Sequence, residues 1–106
     1  MAKFLIEAAY TTEGLRALQK EKASGRKQAV AKALESLDGK LEGFYFSLGE
    51  HDVIAIVDLP DATSAAAMAL AVSASGLVRT KTTALLSVEE ADRALGKKLT
   101  YRAPGG

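Results

Sequence analysis

Two runs of strand-forming residues, Leu41–Leu48 and Val53–Asp61, are separated only by Gly49-Glu50-His51-Asp52. So short a link forces the two runs to lie side by side and antiparallel, because a parallel pair needs a crossover of a dozen or more residues. Gly49 can adopt positive φ, so the reversal is expected there. Lys40–Leu48 and His51–Leu59 are therefore read as a hairpin, and Pro60 ends it because proline cannot donate to a ladder. The second strand carries Val53-Ile54-Ala55-Ile56-Val57, apolar at consecutive positions and so apolar on both of its faces. A strand of that kind must be covered on both sides.

The rest of the chain frames this hairpin. Lys3–Tyr10 reads as a first strand, followed by Thr11 and Thr12 as N-cap hydroxyls and Glu13 at the favourable end of a helix dipole. Leu15 and Leu18 give a short apolar face, and Ser24-Gly25 predicts a break. Beyond the break, Ala29, Val30, Ala33, Leu34 and Leu37 recur at helical spacing, and Gly39 is expected as the residue just past the helix end. After the hairpin, Asp61 should cap a helix from Ala62 to Ser75 that stops at Gly76. Leu77–Leu86 is rich in β-branched residues, and Ser87 with Glu90 has capping-box spacing for a last helix through Leu95. The order is β-α-β-β-α-β plus a terminal helix: an α+β, ferredoxin-like plan with an antiparallel sheet. Right-handed crossovers put both main helices on one sheet face. The other face stays open and apolar, which predicts a homodimer or higher oligomer.

Composition narrows the function classes. The chain has 106 residues, room for one domain, here expected over residues 1–96 with a flexible tail over 97–106. Net charge is +1, which gives no electrostatic case for nucleic acid or an anionic membrane. There is no cysteine, so disulfides and thiolate metal sites are excluded. The longest uncharged run, residues 62–78, is alanine-rich and broken by Thr63, Ser64, Ser73, Ser75 and Gly76, unlike a membrane span. A cytoplasmic protein is expected. RNA-recognition modules share the strand order, but they stack bases on aromatics of the central strands. Val53–Leu59 has none. No phosphate loop, nucleophile elbow or metal motif occurs.

Four pieces taken together carry a family resemblance: Tyr10-Thr11-Thr12-Glu13-Gly14, Gly39-Lys40-Leu41, Phe44 through Asp52, and Gly76 through Thr82. They resemble the GYD family, small bacterial proteins of the dimeric α/β-barrel superfamily. The family's namesake tyrosine position is His51 here. The resemblance implies a dimeric α/β barrel binding a small organic ligand, either between sheet and helices or at the dimer interface, with no cofactor. It implies no agreed activity. The superfamily is similar in fold to quinol monooxygenases, muconolactone-type isomerases and haem-binding peroxidases. A small cofactor-free enzyme is therefore the alternative, and a purely structural protein a third.

Six residues are candidates for a ligand site. His51, the only histidine, could be a base beside Glu50 and Asp52, although a hairpin-end role is commoner without a positioned nucleophile or ligand set. Asp52 after a turn more often binds backbone N–H groups. Glu7 lies mid-strand among apolar residues, where a carboxylate needs a partner; Arg79 and Lys81 share one face of the last strand, its expected neighbour, and Glu7 with Arg79 is the expected pair, either as a structural ion pair or as a ligand anchor. Tyr10 and Tyr45 could line a pocket and donate a hydroxyl hydrogen bond, with packing the commoner fate. One histidine with scattered carboxylates points to no metal site. The basic run Arg16, Lys20, Lys22, Arg26, Lys27 and Lys32 reads as a solvated helix face.

Overall fold

The computed structural model describes residues 1–106. Its elements are β1 (Ala2–Tyr10), α1 (Thr12–Ser36), β2 (Lys40–Phe46), β3 (Val53–Leu59), α2 (Ala62–Ala74), β4 (Val78–Leu85) and α3 (Val88–Leu95). The strands form one antiparallel sheet in the order β2-β3-β1-β4. This is the ferredoxin-like α+β plan with a C-terminal helix. No helix is long and apolar enough to cross a membrane.

Strand periodicity sorts the side chains. Along β3, Val53, Ala55, Val57 and Leu59 are buried, whereas Ile54, Ile56 and Asp58 between them are half-buried on the opposite face. The buried set joins Phe4 of β1, Leu34 of α1 and Ala65 of α2 in the main core, with a second cluster of Ala8, Val53 and Val78 toward the other end. Both long helices therefore cover one face. The open face carries Leu5 and Glu7, Tyr45, Ile54 and Ile56, and Arg79 and Lys81, as the strand register and alternation require.

Helix boundaries follow local chemistry. Thr11 Oγ accepts from Gly14 N at 3.1 Å and donates to the Leu77 carbonyl, tying the start of α1 to the entry of β4. Gly14 is required there, because a Cβ would collide with the Leu77 carbonyl oxygen. At the other end Asp38, not Gly39, takes the left-handed position at φ 57°. Asp38 N donates to Glu35 O and Gly39 N to Leu34 O, the paired bonds of a Schellman cap. Gly39 is one place further on, packed so closely on Leu59 and Asp58 that a side chain would not fit.

The break in α1 lies elsewhere than its glycine suggested, and the hairpin turns at Gly49 without the positive φ expected there. The break in α1 falls at Lys22 (φ 71°, ψ 163°), and Ser24-Gly25 is helical. In the hairpin, Gly49 does not use positive φ. The loop is long enough to turn without it. Ser47 N donates to Asp52 O at 2.8 Å to close the loop, and Gly49 N donates to Ser47 Oγ. The strands are correspondingly shorter than the pattern predicted, ending at Phe46 and resuming at Val53.

Asp61 caps α2 by accepting from Ser64 N at 2.8 Å, and Ser87 with Glu90 forms a reciprocal capping box on α3. The backbone bond to Ser64 holds the Asp61 carboxyl below its ordinary 3.8. A depressed carboxyl stabilises the fold above its unfolded value, and that contribution fades as pH falls through the folded value. Asn caps as well as Asp but carries no charge to meet the helix dipole. Asp61→Asn is therefore expected to melt below the parent at pH 7. The gap should be smaller in acid, as pH falls through the lowered value and the Asp61 carboxyl takes up its proton. A gap of equal size at pH 7 and in acid would show that the cap's charge contributes nothing.

The molecule is more extended than its length requires. Its radius of gyration is 16.8 Å, against about 13 Å for a compact chain of this size. Helix α3 has an apolar stripe, Val88, Ala91 and Leu95, yet it makes no extensive contact with the sheet or other helices. Val88 and Leu95 are 80% and 84% exposed. Residues 97–106 carry no helix or strand and are exposed throughout.

Candidate functional site

Small side chains on facing elements leave space between the sheet and the helices. Ala8 of β1, Ala55 of β3, Ala29 and Ala33 of α1, and Ala69 of α2 line a cavity of about 240 Å³. Ile6, Val30, Phe44, Val53, Met68, Val72, Val78 and Ala71 complete its apolar wall, and Tyr10, Thr80 and Arg26 are its polar members. The helix pattern explains the arrangement: Arg26, Ala29, Val30 and Ala33 recur at i, i+3, i+4 and i+7, one face of α1 after the kink.

Two of the polar groups are held in distinct states. Burial pushes the Tyr10 phenol above its ordinary value, opposed by the Arg26 charge and reinforced by those of Glu21 and Asp52. Tyr10 is thus a neutral phenol at physiological pH, a donor as well as an acceptor. Arg26 Nε is shielded from solvent and makes no hydrogen bond. Its nearest carboxylate oxygen, Glu21 Oε2, lies at 3.4 Å, close enough for ion-pair attraction but without hydrogen-bond geometry. Thr82 Oγ1 on β4 is also buried without a partner.

The six sequence-derived candidates divide between the two faces of the sheet. Only Tyr10 lines the cavity. Asp52 is built into the end of the sheet: its carboxylate accepts from Tyr10 N at 2.9 Å, and its own N–H donates to Ala8 O at 2.8 Å. Glu7, Tyr45, His51 and Arg79 belong to the open face. Tyr45 lies opposite Ile54 and is 65% exposed, so it is on the far side of the sheet from Tyr10.

The partner of Glu7 differs from the expectation. Glu7 Oε2 lies 3.3 Å from His51 Nδ1, and both side chains are about three-quarters buried. The β1–β4 register sets Lys81 across from Glu7 and Arg79 across from Ala9, so Arg79 is offset by one pleat and exposed. The hairpin loop lays His51 over the open face, which strand periodicity cannot show. A second polar group on this face, Lys3, binds Asp58 Oδ1 at 2.9 Å and also Glu42, the residue left over at the Leu41/Gly43 register shift. The bonds to Glu42 and Asp58 hold the Lys3 ammonium above its ordinary value. No three His, Cys, Asp or Glu side chains converge on a point that would suit a metal ion.

Arg26 and the alanine-lined wall were missed by reading charge and hydrophobicity separately. Arg26 reads as part of a solvated basic face, although its i+3, i+4 and i+7 neighbours are all apolar and recur at helical spacing.

Among curated proteins and among solved structures, no match was found. Residues 4–95, most of the chain, match the family model described as the GYD domain. This chain therefore belongs to the GYD domain family.

Proposed function

We propose that this GYD-domain chain is a cytoplasmic, homo-oligomeric binding protein for a small organic molecule held between the sheet and the helices. The cavity carries the reading. The space opens to solvent on one side, as ligand clefts do. A space of about 240 Å³ lined by small and apolar side chains with a few polar members has the make-up of a ligand pocket. The oligomer rests on separate features. Leu5, Ile54 and Ile56 are half-buried on a sheet face that no element of the chain covers. The apolar stripe of α3 is likewise uncovered. A second copy would cover both.

Native mass spectrometry of the purified protein tests both parts together. A dimeric or larger species carrying a small-molecule adduct is expected. Ala33→Phe should remove the adduct by filling the cavity and leave the subunit count unchanged. A species of 11.1 kDa without adduct would overturn the proposal.

A second reading is favoured by the Glu7–His51 contact. A carboxylate 3.3 Å from an imidazole nitrogen orients a general base. If two open faces enclose a cleft, this pair could move a proton on a ligand held there, without a cofactor. An adduct that survives Ala33→Phe and is lost in His51→Gln would favour this reading over the cavity.

A further inference from the structure

We propose that the cavity between sheet and helices selects a small monocarboxylate with an apolar body, its carboxylate paired with the Arg26 guanidinium. This rests on the reading of that cavity as the ligand site and adds the chemical class of the ligand.

The argument begins with Arg26, the only charged residue in the cavity wall. Its Nε is removed from solvent and has no hydrogen-bond partner, an arrangement that folded proteins rarely leave standing. Arg26 has one candidate counter-ion within its own chain, Glu21, and that contact is a loose 3.4 Å. The two residues are separated by the kink at Lys22, so they are not the regular i, i+4 pair of a continuous helix. Lys22 itself occupies a backbone region that is almost confined to glycine. Strain, an orphaned donor and a poorly seated ion pair thus coincide between Glu21 and Arg26, the latter of which lines the cavity. A ligand carboxylate would supply what is missing, since the planar guanidinium matches a carboxylate with two parallel charge-assisted hydrogen bonds.

The remaining wall sets the rest of the ligand. A second anionic charge would face Ala, Val, Ile, Phe and Met side chains, where an unpaired charge is strongly disfavoured. A single cation therefore argues for a single anion, and for a carboxylate over a phosphate dianion. A cationic ligand would be repelled by Arg26. The neutral Tyr10 phenol, which feels both Arg26 and Glu21, supplies a hydroxyl on the same wall. Size follows by scaling: an apolar cavity of about 150 Å³ accommodates benzene, so 240 Å³ suits a body of about ten non-hydrogen atoms. Octanoate and phenylacetate both have that size.

Isothermal titration with octanoate, phenylacetate, 1-octanol and octylamine tests the assignment on the intact chain. Octanoate or phenylacetate should bind at least about tenfold more tightly than 1-octanol, the gain of one charge-assisted contact, and octylamine should bind least. Arg26→Met keeps the apolar stem and should abolish the preference for carboxylate over 1-octanol. Arg26→Lys keeps the charge without the fork and should fall between, which guards against a folding defect in the methionine variant. Glu21→Gln removes the competing carboxylate and should tighten octanoate several-fold with no effect on 1-octanol. If 1-octanol binds as well as the carboxylates, or Arg26→Met changes nothing, the anion assignment is wrong and the cavity reading stands. If none of the four probes binds, both fail.

Discussion

Leu34→Ala is expected to destabilise the protein by about 2–5 kcal/mol, with a fall in melting temperature of about 4–8 °C for each kcal/mol. Leu34 of α1 is fully buried against the sheet, where it joins Phe4, Val57 and Leu59 in the main core. Its carbonyl also accepts the Gly39 bond that closes the Schellman cap, so the backbone there has little freedom to collapse into the space left behind. The void would adjoin a chain already short of core: few residues are fully buried, and the main cluster is small. A domain's whole stability is only about 5–15 kcal/mol, so this one change consumes much of it. Chemical denaturation at fixed protein concentration measures the loss, concentration being held because association also stabilises. A loss below about 1 kcal/mol would show that the core does not centre on Leu34.

Ile56→Asp is expected to leave a folded monomer. Ile56 lies across from Leu5 on β1 and Gly43 on β2, on the sheet face that the helices do not cover. In a single chain the new carboxylate can reach water. In an assembly that pairs two open faces it would be desolvated without a partner, at a cost of several kcal/mol. Its neighbour Val57 gives the contrast. Val57 is fully buried under the helices, so Val57→Asp is expected to unfold the chain whatever its oligomeric state. Light scattering and far-ultraviolet circular dichroism on both variants separate the outcomes. Native-like dichroism with unchanged mass for Ile56→Asp would show that this face is not the interface. Loss of structure in that variant would show that Ile56 belongs to the core of the single chain.

These two neighbouring residues mark the boundary between what local sequence decides and what it leaves open. Strand alternation is a property of covalent geometry, so a chain that reads Val53-Ile54-Ala55-Ile56-Val57 declares two apolar faces before any fold is known. The capping pairs Thr11–Gly14, Asp61–Ser64 and Ser87–Glu90 span three residues each, and all three were legible for the same reason. Strand order followed, because short links and crossover handedness admit few arrangements. Long-range placement did not. Glu7 and His51 are 44 positions apart, and their contact depends on how an irregular loop folds back over the sheet. Asp38 took the left-handed position instead of the adjacent glycine because Gly39 was needed where Leu59 and Asp58 leave no room for a side chain. The cavity is the clearest case. Its alanines come from β1, α1, β3 and α2, and each alone reads as ordinary core filling. Only the distance at which the helices settle on the sheet turns those absent methyl groups into one continuous space, with Arg26 at its wall and no hydrogen-bond partner for its Nε.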